Sequence, residues 1–259
     1  MKNHFALSGN DLKEFLDEKY ELYNRPSFIE VDPISIPHKF SKKEDIEIAA
    51  FFAATIAWGQ RPTILKNANR LMELMESEPY QFIMHSKKKD WKRFEGFVHR
   101  TFNEKDVEYF IVALQNIYRH HGGMEKVFSE KSKKEAKTGI QHFRNIFLEI
   151  NPVSRTAKHI SNVEKNASAK RINMFLRWMV RNDKRGVDFG IWKSISPSVL
   201  YCPLDLHSGR VARKLGLLTR LQDDWKAVDE LTKNLRILDK KDPVKYDFAL
   251  FGLGVFEKF

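Results

Sequence analysis

The run from Ile46 to Trp58 restricts this chain more than any other stretch, because it is apolar almost all the way round and carries alanine at 49, 50, 53, 54 and 57. A helix without a polar face must be covered on every side, and small side chains let neighbouring helices approach it closely. Ser41-Lys-Lys-Glu44 in front of it reads as a capping box that starts the helix. The run falls short of the ~18 apolar residues that a membrane span needs, and no other stretch reaches that length. It is therefore expected at the buried centre of a helical lobe.

The rest of the chain supplies cover at helical spacing. Leu12, Phe15, Leu16, Tyr20 and Tyr23 stripe a first helix, after which Pro26, Pro33 and Pro37 mark residues 24–40 as an extended connection. Gly59-Gln60-Arg61-Pro62 makes a polar, basic corner, followed by a stripe from Ile64 to Met75. Asn103 caps a helix faced by Val107, Phe110, Ile111, Leu114 and Ile117, and Ile140, Phe143, Phe147 and Ile150 stripe another that ends at Pro152. Residues 151–169 read as loop. Ser168 then caps a helix with Ile172, Phe175, Leu176, Met179 and Val180 on one face, and two further helices follow, one capped by Asp223 or Asp224 and one opened by Asp242-Pro243. Nothing strand-like of useful length occurs, so the expected class is all-α, with about ten helices.

Lys and Arg number 45 against 34 Asp and Glu, a net charge of +11 that attracts a polyanion, nucleic acid before an anionic membrane surface. Cys202 is the only cysteine, which excludes an intrachain disulfide and any all-protein cysteine-ligated zinc or iron–sulfur site. His120 and His121 end a helix, where the dipole accounts for them, and no metal site or other cofactor is expected. Met1-Lys-Asn-His-Phe-Ala-Leu7 lacks the apolar core of a signal peptide, so a cytoplasmic protein without a membrane partner is expected.

The stretch most suggestive of chemistry is Tyr201-Cys-Pro-Leu-Asp205-Leu-His207-Ser-Gly-Arg210-Val-Ala-Arg213-Lys214-Leu-Gly216-Leu-Leu218. Pro203 breaks the chain, Asp205 stands at an N-cap, and Val211, Leu215 and Leu218 stripe a short basic helix that Gly216 ends. Free N–H groups at that cap favour the ionised carboxylate. Pro-Leu-Asp-Leu-His followed by Arg-Val-Ala-Arg-Lys-Leu-Gly resembles the signature of the helix-hairpin-helix DNA glycosylases, an uncharacterised bacterial branch near the archaeal 8-oxoguanine enzymes. That resemblance implies two helical lobes with a cleft, and carries the catalytic carboxylate onto Asp205.

The segment Ser168-Ala-Lys170-Arg-Ile-Asn-Met-Phe-Leu-Arg177-Trp178-Met-Val-Arg181 is similar to the helix after the hairpin in that superfamily, where an opening lysine is the nucleophile of bifunctional members. The match places that role on Lys170, facing Asp205 across the cleft. Two features depart from the pattern: Val163-Glu-Lys-Asn-Ala-Ser168 stands where the Gly-rich hairpin belongs, and 35 positions separate Lys170 from Asp205. The resemblance divides the domain into a central lobe at 41–181, a second lobe at 1–40 and 199–259, and an insertion at 182–198. It implies a monomer acting on duplex DNA, with Gln60, which reads equally as a surface turn residue, entering the space left by an extruded base. Arg61, Arg177, Arg181, His207, Arg210, Arg213 and Lys214 are expected along the DNA; Trp178 and Trp192 read as core residues by their pattern, with stacking on the extruded base as the alternative role. Asp247 is a second acidic candidate that reads as holding the last helix in place. The expected activity is base excision of an oxidised purine, with strand cleavage through a lysine Schiff base. The competing readings are a non-catalytic DNA-binding protein of the same fold and a helical scaffold for a protein partner.

Overall fold

A computed structural model describes residues 9–150 and 155–259. Among them the class is all-α: eleven α-helices and several short 3-10 turns, with one two-residue β-ribbon pairing Val98–His99 against Phe102–Asn103. No helix of the described residues is long and apolar enough to cross a membrane. The chain divides into two units. One comprises the described residues up to 28 together with 134–137 and 162–259; the other comprises 29–133 and the described part of 138–161. The boundaries thus fall near 28 and 161 rather than at 40 and 181, and residues 182–198 belong to the first unit.

In the second unit α2 (Lys43–Thr55) is the expected buried helix, with every residue from Ile46 to Thr55 out of solvent. Its cover is aromatic. Phe51 stacks on Phe110 at 5.5 Å and meets Phe143 edge-on at 5.4 Å, while Phe110 meets Phe147 at 4.8 Å. These rings come from α5 (Glu104–His120) and α7 (Ala136–Phe147). Buried Glu47, on the same helix, accepts a 2.7 Å hydrogen bond from the Tyr118 hydroxyl, which meets the cost of burying its charge in part. Asn103 and Asp106 form a capping box at the start of α5, as Asn103 suggests; α2 starts instead at Lys42, without a side-chain cap. Residues 26–39 are three 3-10 turns, each opened by a proline, rather than an extended connection. Proline blocks helix before itself but suits the first position of a new turn, and the second effect prevails here. α3 (Arg61–Leu74) and α4 (Pro79–His85) complete this side of α2.

The first unit is built on α11 (Tyr246–Val255), apolar nearly all round and packed against α1 (Gly9–Tyr23) and α9 (Leu206–Lys214). Two glycines permit the approach. A Cβ on Gly252 would lie 2.1 Å from the Tyr23 ring, and one on Gly254 would lie 3.0 Å from His207 Cβ. The helix runs through both glycines. Phe28 meets Phe248 and Phe251 edge-on at 5.3 and 5.9 Å, closing the core beside α1. α8 (Lys170–Val180) and α10 (Trp225–Leu238) belong to the same unit.

Candidate active site

Asp205 is the N-cap of α9, and its two carboxylate oxygens have different partners. Oδ1 accepts from the backbone N–H groups of His207 and Ser208, both at 2.9 Å, and the Ser208 hydroxyl accepts from the Asp205 N–H at 2.9 Å. Reciprocal bonds of this kind form the capping box, and Gly216 at φ +72° follows the end of the helix. Oδ2 faces Lys170, whose Nζ lies 3.1 Å away. Burial raises the Asp205 pKa, but the Lys170 ammonium and the Ser208 N–H outweigh it and hold the carboxyl below its ordinary value.

Lys170 is the first residue of α8 and follows Ala169, which sits at φ +51° in the left-handed region. A residue with a Cβ held there costs about 1–3 kcal/mol, a strain of the kind that gathers at functional sites. Ser168 does not cap the helix; its carbonyl accepts from Asn173 Nδ2 at 3.3 Å, and the chain enters α8 through Ala169. The pair remains open to solvent, with 31% of the Lys170 side chain and 18% of the Asp205 side chain exposed. Both residues lie in the first unit, which corrects the expectation that they face one another from different lobes. The reason lies in α8, whose Arg177 and Arg181 are tied to acidic residues from 182–247.

Those two arginines are not placed for DNA. Arg177 is 3% and Arg181 1% exposed. Arg177 donates to Asp188 at 3.2 Å and to Asp247; Arg181 contacts Asp183, Asp188 and Asp242 at 2.8, 3.1 and 2.8 Å and donates to the Tyr20 hydroxyl at 2.7 Å. Trp178 and Trp192 are likewise core residues, the latter edge-on to Phe175 at 5.3 Å, so neither ring is open to a base. Arg213 is held by the loop that follows α9, donating to the carbonyls of Arg220 and Leu221 and to Asp223 at 2.6 Å. Its fork geometry fits that loop, leaving less of it for phosphate.

The other expected contacts lie at the surface. His207 and Arg210 are exposed on α9, where the Arg210 guanidinium reaches the Gly254 carbonyl at 3.4 Å. Lys214, also exposed, lies 5.2 Å from the Phe259 ring centre. Gln60 and Arg61 open α3 in the second unit, Gln60 exposed and Arg61 half-buried.

Asp247 turns out to belong to the electrostatics of the pair. Burial pushes its carboxyl up to about 6; the Arg177 guanidinium and the Lys170 ammonium oppose that shift, and the Asp205 charge adds to it. Two carboxylates with values moved apart, beside one lysine, are an arrangement suited to acid–base work. The sequence signal for it is an acidic residue on the otherwise apolar helix Tyr246-Asp-Phe-Ala-Leu-Phe. Burial, with the Asp247 charge, also pushes the Cys202 thiol up, which makes it a poor nucleophile. Among the described residues no group of His, Cys, Asp and Glu is arranged to hold a metal ion.

The chain belongs to a family described as protein of unknown function DUF2400, whose model matches residues 32–256 and so includes Lys170, Arg177, Asp205 and Asp247. No curated protein and no solved structure matches it.

Proposed function

We propose that this protein is a DNA base-excision glycosylase of the helix-hairpin-helix kind, acting on an oxidised purine such as 8-oxoguanine, with Lys170 as nucleophile and Asp205 as the catalytic carboxylate. The observation that carries the reading is the 3.1 Å pair of Lys170 Nζ and Asp205 Oδ2, solvent-reachable and set at the N-termini of two helices. Cleavage of an N-glycosidic bond leaves positive charge on the sugar, and an ionised carboxylate beside C1′ stabilises it. Lys170 first gives its ammonium proton to solvent, and the free amine then adds to C1′ as the bond to the base breaks, the bonding pair leaving with the base, which takes up a proton. Loss of the amine proton and opening of the sugar ring give the imine. Removal of a C2′ proton then expels the 3′ phosphate and cuts the strand. The charge of +11 suits a duplex substrate.

Incubation with a duplex carrying 8-oxoguanine is expected to release the base and nick that strand, with an undamaged duplex left intact. Salt-dependent DNA binding with no base released from any oxidised purine would replace this reading with that of a non-catalytic DNA-binding protein.

A further inference from the structure

A pocket of about 620 Å³ lies in the first unit between α10 and residues 134–137. Five cations line it, Lys134, Lys137, Lys226, Lys233 and Arg236, against two carboxylates. The carboxylates are already engaged: Glu135 accepts from the Tyr201 hydroxyl at 3.0 Å, and Asp229 pairs with Lys233 at 2.7 Å. Tyr201 and Trp225 are buried in its floor, with Arg236 over one ring at 5.0 Å and Lys137 over the other at 5.6 Å. The rings are covered, so the pocket offers charge rather than a stacking surface. Lys134 and Lys226 are exposed and have no ion-pair or hydrogen-bond partner among the described residues.

Lys226, Asp229, Lys233 and Arg236 recur along one face of α10, over about 15 Å at 1.5 Å per residue. Phosphates of one DNA strand rise by about 3.4 Å each along the duplex axis, so a face laid along that axis covers at most about four of them. We infer that this groove binds the phosphodiester backbone of DNA, as a contact surface distinct from the Lys170–Asp205 pair. The inference rests on the reading of the protein as one that binds DNA. Lys134 and Lys226 supply unpaired charge at the rim, and Lys137, held over Trp225, supplies charge in a fixed place.

The test is DNA binding over a range of salt concentrations by the wild type, the double variant Lys134→Gln/Lys226→Gln, and a control variant Lys240→Gln/Lys241→Gln. Lys240 and Lys241 are exposed and lie outside the groove. The groove variant is expected to bind more weakly on every sequence, with the slope of log affinity against log salt smaller by about 2, one for each phosphate that a lysine no longer neutralises. The control keeps the wild-type slope. Equal slopes in all three proteins, or the same reduction in the control, overturn the groove assignment and leave DNA binding standing. A wild type that does not bind DNA overturns both. If inorganic tripolyphosphate at matched ionic strength binds the wild type and not the groove variant, while DNA binding is equal in both, the groove takes a free polyphosphate and the DNA assignment falls.

Discussion

Arg181→Met is expected to destabilise the protein by about 3–5 kcal/mol, seen as a lower urea midpoint, because it removes one member of a buried ion network and leaves its partners charged. The guanidinium is 1% exposed and in contact with Asp183, Asp188 and Asp242, and Tyr20 from α1 accepts from it and donates to Asp183. Those carboxylates raise the Arg181 pKa against the effect of burial, so the cation persists throughout the ordinary pH range. Without it, half-buried Asp183 and Asp242 lose their counter-charge, and buried Asp188 is left with Arg177 alone. Methionine fills most of the volume and cannot replace the charge. An unchanged midpoint together with weaker DNA binding would instead return Arg181 to the DNA surface suggested by its position in a basic helix.

Asp205→Asn is expected to lower base release by at least 10²-fold while costing about 1 kcal/mol of stability or less. The asparagine oxygen can still accept from His207 and Ser208, and Asn caps helices as well as Asp does. What disappears is the charge facing Lys170, and with it the stabilisation of a cationic sugar. Because the wild-type carboxyl is held below its ordinary value of 3.8, Asp205 is ionised at any pH used to assay the reaction. Wild-type base release by the variant would leave Asp205 as a helix cap alone.

How much of this could be read from the sequence depended on how local each cause was. α2 was legible because an apolar face on every side has one remedy, burial, and the α5 and α9 caps were legible because their partners lie within three residues. The turns at 26–39 are not legible within the segment 24–40, because proline forbids helix behind it and favours a turn ahead of it, and sequence does not weigh the two effects. Arg177 and Arg181 looked like surface cations in a basic chain because their partners, Asp183, Asp188, Asp242 and Asp247, come from elsewhere in the chain. Asp188 and Trp192 come from the block read as an insertion, and both are buried in the first unit. The partnership of Lys170 with Asp205 came from the family resemblance; the distance of 3.1 Å between them is a property of the fold.

The central claim is that Lys170 attacks the sugar, and borohydride trapping tests it most directly, since an imine between protein and DNA is reduced to a stable adduct. The wild type, mixed with a duplex carrying 8-oxoguanine and borohydride, is expected to give a protein–DNA adduct on the damaged strand. Undamaged duplex is expected to give none, and Lys170→Gln is expected to abolish the adduct while still binding the DNA. An adduct that persists in Lys170→Gln would place the nucleophile on another amine and contradict the assignment. The absence of any adduct from a wild type that binds the damaged duplex would contradict the lysine mechanism itself.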